Sequence, residues 1–214
     1  MEFITHLIEF VLHIDKYLTE IIANYGTLTY LILFLIVFCE TGLVVTPFLP
    51  GDSLLFAAGA LAANPDNHLN VFLLGLLLIL AALLGDNVNY QMGRFIGNKA
   101  FSGNVPFLKK EYLDKTQDFY EKYGTKTIVY ARFVPIVRTF APFVAGVGHM
   151  QFTRYITYCV LGAILWVTLF LGAGYLFGQI EWIQKNFSKV IIAIILISLL
   201  PIVLEYFKAK RSAA

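Results

Sequence analysis

Four ionisable residues lie inside otherwise apolar segments of this 214-residue chain: Glu40, Asp52, Arg132 and Arg138. A charged side chain inside a hydrocarbon layer costs at least ~2.5–3.5 kcal/mol, so it usually has a partner or a task. Two arginines could grip a phosphate through forked hydrogen bonds, and two buried carboxyl groups could take up and release protons. The pattern predicts a polar cavity for an anion or a pair of structural ion pairs, and the two interpretations are compatible.

The composition requires a membrane around these charges. Hydrophobic residues make up 58% of the chain, charged residues make up 14%, and the mean hydropathy is +0.73. A soluble domain carries about a quarter charged residues, so this chain could not bury its apolar surface in water. An ordinary cytosolic enzyme, a disordered chain and a coiled coil are therefore excluded. The net charge of only +2 argues against a nucleic-acid partner.

The apolar pattern predicts an all-α integral membrane protein whose residues 1–214 form one membrane domain. About four transmembrane helices are expected from long apolar runs at 27–45, 69–92, 155–177 and 190–204. Segments 46–63 and 127–147 are interrupted by proline and charge, so they are predicted to be re-entrant hairpins. Residues 1–24 and 108–123 alternate apolar and charged faces, which is typical of amphipathic helices at the interface.

Each predicted hairpin contains two prolines. The hairpin residues of interest are Pro47, Pro50 and Gly51 in the first and Pro135 and Pro142 in the second. Because proline removes a backbone donor, the tips at 46–52 and 132–142 are expected to be non-helical and to approach each other near the midplane of the membrane.

The positions of lysine and arginine predict the topology. Seven of them fall in residues 94–126 and three in the C-terminal tail, which places both regions in the cytoplasm. With four alternating spans, both termini are then cytoplasmic. The first hairpin would enter from outside and the second from inside, so the two halves would form an inverted repeat with oppositely oriented hairpins.

The remaining polar residues receive structural interpretations. Asp86 and Arg94 are read as capping and anchoring residues at the end of a span, and Cys39 and Cys159 as small core residues. No set of ligands has metal spacing, so neither a metal nor a cofactor is predicted. The arginines lack a neighbouring nucleophilic histidine, because His149 lies beyond the hairpin, and the chain is not expected to be an enzyme.

Two roles are assigned to the acids. Glu40 lies farther along the chain from any basic residue and is the expected proton carrier. Asp52 lies at a hairpin tip and is the expected ion-pair partner of an arginine from the opposite hairpin.

Several long motifs match a known family. They are Glu40-Thr-Gly, Pro47-Phe-Leu-Pro-Gly-Asp-Ser, Gly85-Asp-Asn-Val-Asn-Tyr with Gly93-Arg94, and Ala131-Arg-Phe-Val-Pro-Ile-Val-Arg-Thr-Phe-Ala-Pro with Ala145-Gly146. With these motifs the chain resembles the DedA family, also called the VTT-domain or SNARE-associated family, over nearly its whole length, and it is most similar to bacterial members.

The resemblance implies a multi-pass protein of the bacterial inner (plasma) membrane that moves lipids. It implies undecaprenyl phosphate, a polyprenyl phosphate carrier, as the anionic cargo returned for cell-wall synthesis. Other members of the family are linked to proton-dependent tolerance of drugs and pH, and the buried acids allow for proton coupling here. The essential arginine and acidic positions of the family correspond to Arg132, Arg138, Glu40 and Asp52. The charge pattern then assigns substrate binding to Arg132 and Arg138, and proton coupling or ion pairing to Glu40 and Asp52.

Two alternatives stay open. One is a proton-coupled exporter of small solutes or drugs, and the other is a scramblase of phosphatidylethanolamine. Arginines that meet the cargo would favour an anion, whereas free acids would favour a cation. The expected partners are an anionic lipid, the surrounding membrane lipids and protons, and the sequence leaves open whether the chain forms a homodimer.

Overall fold

A computed structural model describes residues 14–43, 51–96 and 110–197. Within these ranges every regular element is helical, which confirms the all-α prediction for this part of the chain. The helices are α1 (Ile14–Tyr25), α2 (Leu28–Gly42), α3 (Gly51–Ala62), α4 (Val71–Ile96), α5 (Lys110–Tyr123), α6 (Thr127–Ala131), α7 (Pro135–Val147), α8 (Phe152–Phe177), α9 (Glu181–Lys185) and α10 (Phe187–Ile197). Short 3₁₀ turns lie at Pro65–Asn67 and Gly124–Lys126.

Two of the described helices, α4 and α8, are long and apolar enough to cross a membrane. Each has 26 residues, which at 1.5 Å per residue gives about 39 Å, more than the roughly 30 Å of a hydrocarbon core. A stripe of apolar side chains is exposed along α4: Phe72, Leu76, Leu80, Leu84, Val88 and Met92. Their spacing of four residues puts them on one helix face, as expected of a surface in contact with lipid.

The other apolar helices are shorter. Within the described residues helix α2 has 15 residues and α3 has 12, which is fewer than the roughly 20 of a straight membrane-spanning helix. Every residue of α3 except Leu61 is buried, which fits a helix enclosed by protein. The predicted count of four spans is not confirmed, and residues 46–50, including Pro47 and Pro50, lie outside the described residues.

The chain divides into two compact units. The first unit comprises residues 1–32, 50–75 and 167–214, and the second comprises 33–49 and 76–166. Close helix crossings in both depend on glycine. In the first unit a Cβ on Gly59 or Gly174 would collide with backbone of the facing helix, and in the second the same holds for Gly93 and Gly146.

Helices α2 and α4 start at the same end. The Asn70 amide, just before α4, donates to the Tyr30 hydroxyl at 2.6 Å, and a cavity of about 340 Å³ lies between the α1–α2 turn and residues 66–69. Farther along both helices, a Cβ on Gly42 would lie 3.2 Å from Gly85 Cα. Because the helices run parallel, the predicted alternation of the first two spans is wrong. The apolar pattern shows length but not direction.

Candidate functional site

A break between α6 and α7 positions the two arginines of the second unit. Helix α6 ends at Ala131, and α7 begins at Pro135, whose missing N–H costs nothing in the first turn of a helix. Val134 has an extended backbone, as is usual before proline. Arg132 therefore lies in the break, and Arg138 lies in the first turn of α7.

The expected non-helical tip is shorter than predicted. Only residues 132–134 are non-helical, whereas 135–142 belong to α7 and Pro142 lies inside that helix. Proline at position 142 cannot donate to the carbonyl of residue 138, so the helix continues with one backbone hydrogen bond missing.

Arg132 forms a buried ion pair with Asp86 of α4. Its Nη2 donates to Asp86 Oδ2, and the Cys159 thiol of α8 donates to the same oxygen at 3.1 Å. The Tyr155 hydroxyl donates to the backbone carbonyl of Asp86 at 2.7 Å. Asp86 is therefore the counterion of an arginine, and its interpretation as a cap or interfacial anchor is wrong.

Arg138 forms a second ion pair in the same unit. Its Nη2 lies 2.5 Å from Oε1 of Glu40 on α2, and both side chains are buried. The guanidinium carbon of Arg138 lies 5.1 Å from the centre of the Trp166 ring, a distance at which a cation is attracted to the indole face. Glu40, expected to be remote from basic residues, is instead paired, because helix packing brings together residues that are distant along the chain.

Asp52 belongs to the first unit. It is buried in the first turn of α3, next to Gly51, which starts the helix. Its predicted pairing with an arginine of the other hairpin stays a prediction.

The Arg132 side chain has hydrogen-bond donors that the described residues do not use. The side chain is only 3% exposed, yet its Nε and Nη1 atoms have no hydrogen-bond partner among the described residues. Gly162 of α8 makes room for it, since a Cβ there would lie 2.9 Å from both Cδ and Nε of Arg132. A buried guanidinium with open donors is a suitable group for binding an anion.

The amphipathic segment predicted at 108–123 contains helix α5. The Tyr120 hydroxyl donates to the Ala141 carbonyl of α7 at 2.9 Å and so attaches α5 to the arginine-bearing helix. Burial is the main factor that raises the pKa of Tyr120 well above its ordinary value. The phenol is therefore a neutral donor at physiological pH.

Sequence reasoning missed part of this site. The signal for Asp86 was present, since it is an acid inside a long apolar run, but its partner was not evident. Cys159 is buried as expected, whereas Cys39 is exposed. No cluster of three or more His, Cys, Asp or Glu side chains that could hold a metal occurs in the ranges 14–43, 51–96 and 110–197.

Comparison with known proteins agrees with the sequence motifs. The profile of the VTT domain matches residues 49–176. The chain is 58% identical to "Protein DedA" of Escherichia coli (strain K12) over 215 aligned residues, covering 100% of this chain and 98% of that protein. The chain belongs to the DedA family.

Other DedA relatives are named as membrane proteins. The chain is 32% identical to "Inner membrane protein YqjA" of Escherichia coli (strain K12), over 97% of this chain and 92% of that protein. It is 40% identical to an uncharacterized membrane protein of Mycobacterium tuberculosis (strain ATCC 25618 / H37Rv), over 84% of this chain and 80% of that protein. No solved structure matches the chain with significance. These names, together with the apolar helices α4 and α8, support a membrane location.

Proposed function

We propose that this DedA-family protein transports an anionic lipid, undecaprenyl phosphate, across the bacterial inner membrane. The observation that carries the proposal is the buried Arg132 guanidinium, whose Nε and Nη1 atoms have no partner among the described residues. A phosphate head group could bind these donors while its polyprenyl tail stays in the bilayer. The identity of the cargo comes from the family resemblance, whereas the buried arginine supports only a negative charge on the cargo.

The ion pairs suggest how protons take part in the proposed transport. A phosphate that binds Arg132 or Arg138 competes with the carboxylate already bound there, Asp86 or Glu40. A buried carboxylate that loses its arginine is stabilised by taking up a proton. Cargo binding and proton uptake would then be linked at the same residues, and Asp86 would join Glu40 and Asp52 as a candidate proton carrier.

The exporter of small cations is less well supported than the anion transporter. In the second unit Asp86 and Glu40 each face an arginine, so neither is a free acid that could bind a cation. Scrambling of phosphatidylethanolamine is separated from transport of a phosphate monoester by the assay below.

The transport assay uses purified protein in liposomes that contain a labelled undecaprenyl phosphate, and measures how fast the label changes leaflet. Arg132→Lys keeps the charge but cannot make the planar two-pronged contact, so we expect a rate lower by about tenfold or more. Arg154→Lys, at an exposed arginine of α8, is the matched control and should be unaffected.

Three outcomes would contradict the proposal: no transport by the wild type, equal rates for the two lysine variants, or equally fast movement of phosphatidylethanolamine. Thermal melting of each variant in detergent separates a loss of transport from a loss of folding.

We also propose an orientation, from the parallel course of α2 and α4 and the cytoplasmic position expected for the basic segment 94–126. Cysteines introduced at Thr27 and Asn67, in a background without native cysteines, should both react with an impermeant thiol reagent from outside. Cysteines at Arg94 and Arg154 should react only after permeabilisation. Labelling of the first two from opposite sides would contradict the orientation.

A further inference from the structure

Asn89 of α4 connects two other helices of the second unit through one side-chain amide. Its Nδ2 donates to the Thr41 carbonyl of α2 at 3.1 Å and to the Thr139 carbonyl of α7 at 2.8 Å. The residue is fully buried. Its amide orientation is determined by these contacts, because a flipped amide would direct an oxygen at two carbonyl oxygens.

The two acceptors lie next to an ion pair. Thr41 follows Glu40 in the sequence, and Thr139 follows Arg138, while Glu40 and Arg138 bind each other. Helix α2 ends at Gly42, so the Thr41 carbonyl belongs to the last turn, where carbonyls lack a donor from their own helix. The Asn89 amide supplies such a donor to Thr41, and its second N–H donates to the Thr139 carbonyl of α7. One amide group therefore links the backbone of α2 to that of α7.

The geometry points to Asn89 as the positioning residue of the Glu40–Arg138 pair. Its amide fixes the separation of the backbone at Thr41 and Thr139, and this separation determines whether the neighbouring acid and arginine meet. The inference deepens the proposed function, on which it rests for its transport readout, by adding a residue that governs when Arg138 is available to cargo.

The test uses a fluorescent group that is already in the site. The chain has two tryptophans, and Trp166 lies against Arg138, whereas Trp182 is 65% exposed in the first unit. In a Trp182→Phe background the emission of Trp166 reports the position of the Arg138 cation without any need for transport. Arg138→Gln in that background gives the spectrum expected when the cation is absent.

Asn89→Asp tests the amide with a side chain of nearly the same size. A protonated carboxyl can donate to one of the two carbonyls, whereas the ionised form has no donor and repels both. The emission of Trp166 should therefore follow the ionisation of the introduced carboxyl group as the pH is raised. We expect Trp166 emission close to wild type at acid pH and close to that of Arg138→Gln at alkaline pH.

The surrounding charges are common to variant and wild type. They are Glu40 on α2, Asp86 on α4, Arg132 in the break and Arg138 on α7. The difference between the two pH curves therefore belongs to residue 89. Asn186→Asp is the matched control, because Asn186 also donates from its side-chain amide, at 3.0 Å to the backbone carbonyl of residue 182, and it is half-buried in the first unit. It should follow the wild-type curve.

Asn89→Ala removes both donors and should shift the emission at every pH, which keeps the inference testable if the aspartate variant does not fold. Wild-type emission from a folded Asn89→Ala, or a pH curve for Asn89→Asp that matches wild type, would overturn the inference. In liposomes, lipid transport by Asn89→Asp should fall by about tenfold per pH unit once the introduced carboxyl is mostly ionised. If the wild type moves no lipid, the proposed function fails while the fluorescence result still decides the role of Asn89.

Discussion

The two compact units repeat one helix crossing. In the first unit, α3 packs against the end of α8. A Cβ on Gly174 would collide with the Phe56 carbonyl oxygen, and a Cβ on Gly59 would collide with the Leu171 carbonyl oxygen. Glycine on each helix therefore lets the two backbones approach closely.

In the second unit, α7 packs against α4 through the same set of contacts. A Cβ on Gly93 would collide with the Phe143 carbonyl oxygen, and one on Gly146 would collide with the Tyr90 carbonyl oxygen. The short helix of each crossing, α3 or α7, contains the pattern Phe-x-x-Gly. On the long helices α4 and α8, Gly93 and Gly174 lie at the same position counted from the start of the helix. Each unit therefore contains a short apolar helix that crosses a long one with a glycine on each side, whereas the opposite orientation of the two halves stays a prediction.

The units differ in charge at the start of the short helix. Arg138 lies a little over one turn before Phe143, and Asp52 lies about one turn before Phe56, and both are buried. The same crossing therefore carries a cation in one unit and an acid in the other. The two crossings therefore share their glycine contacts and differ in the sign of the buried charge beside them.

The largest effect is expected from removing one partner of a buried ion pair. Asp86→Asn keeps the shape but leaves Arg132 buried without its counterion, which should lower the free energy of unfolding by about 3–5 kcal/mol. Denaturant titration of the detergent-solubilised protein measures this change. The double variant Asp86→Asn with Arg132→Gln should recover part of the loss.

The control for that prediction is an exposed pair. Lys185 and Glu181 lie 2.5 Å apart with 71% and 80% of their side chains exposed, so Glu181→Gln should change stability by no more than about 0.5 kcal/mol. An equally small loss of stability for Asp86→Asn would contradict the prediction that breaking the buried Arg132–Asp86 pair strongly destabilises the protein.

A smaller effect, alike in both units, is expected at the crossings. Gly93→Ala and Gly174→Ala should each cost about 1–3 kcal/mol, because the added methyl group meets backbone that cannot move aside. Gly172→Ala, in the same helix as Gly174, meets no atom within 4 Å and should be neutral or slightly stabilising. Thermal melting of the three variants measures these changes. A loss of stability in only one of Gly93→Ala and Gly174→Ala would contradict the similarity of the two crossings.

The smallest effect is expected where a side chain attaches to the short helix. Tyr120 donates to the Ala141 carbonyl of α7, and Gln179 donates to the Ala60 carbonyl of α3 at 2.9 Å. Tyr120→Phe and Gln179→Leu should each lower stability by about 0.5–1.5 kcal/mol. Thr157→Val, which removes an exposed bond within α8, serves as the control. Equal losses in all three variants would mean that these attachments have no special role.

Sequence patterns were sufficient for the local features of this protein. Apolar runs predicted the helices α4 and α8, amphipathic spacing predicted a helix inside 108–123, and long motifs indicated the family. The isolation of Glu40, Arg132 and Arg138 in apolar segments indicated that these residues are buried, because an unpaired charge is costly in such surroundings.

The pairing of the charges was decided only by the tertiary structure. Arg132 meets Asp86, and Arg138 meets Glu40, only through packing within the second unit: Gly162 leaves room for the Arg132 side chain, and Gly85 lets α4 approach α2 closely next to Glu40. Nothing in the spacing along one helix encodes such contacts. The parallel course of α2 and α4 and the helical position of Pro142 were likewise decided by packing, since hydrophobic periodicity records which face of a helix is buried but not which neighbour covers it.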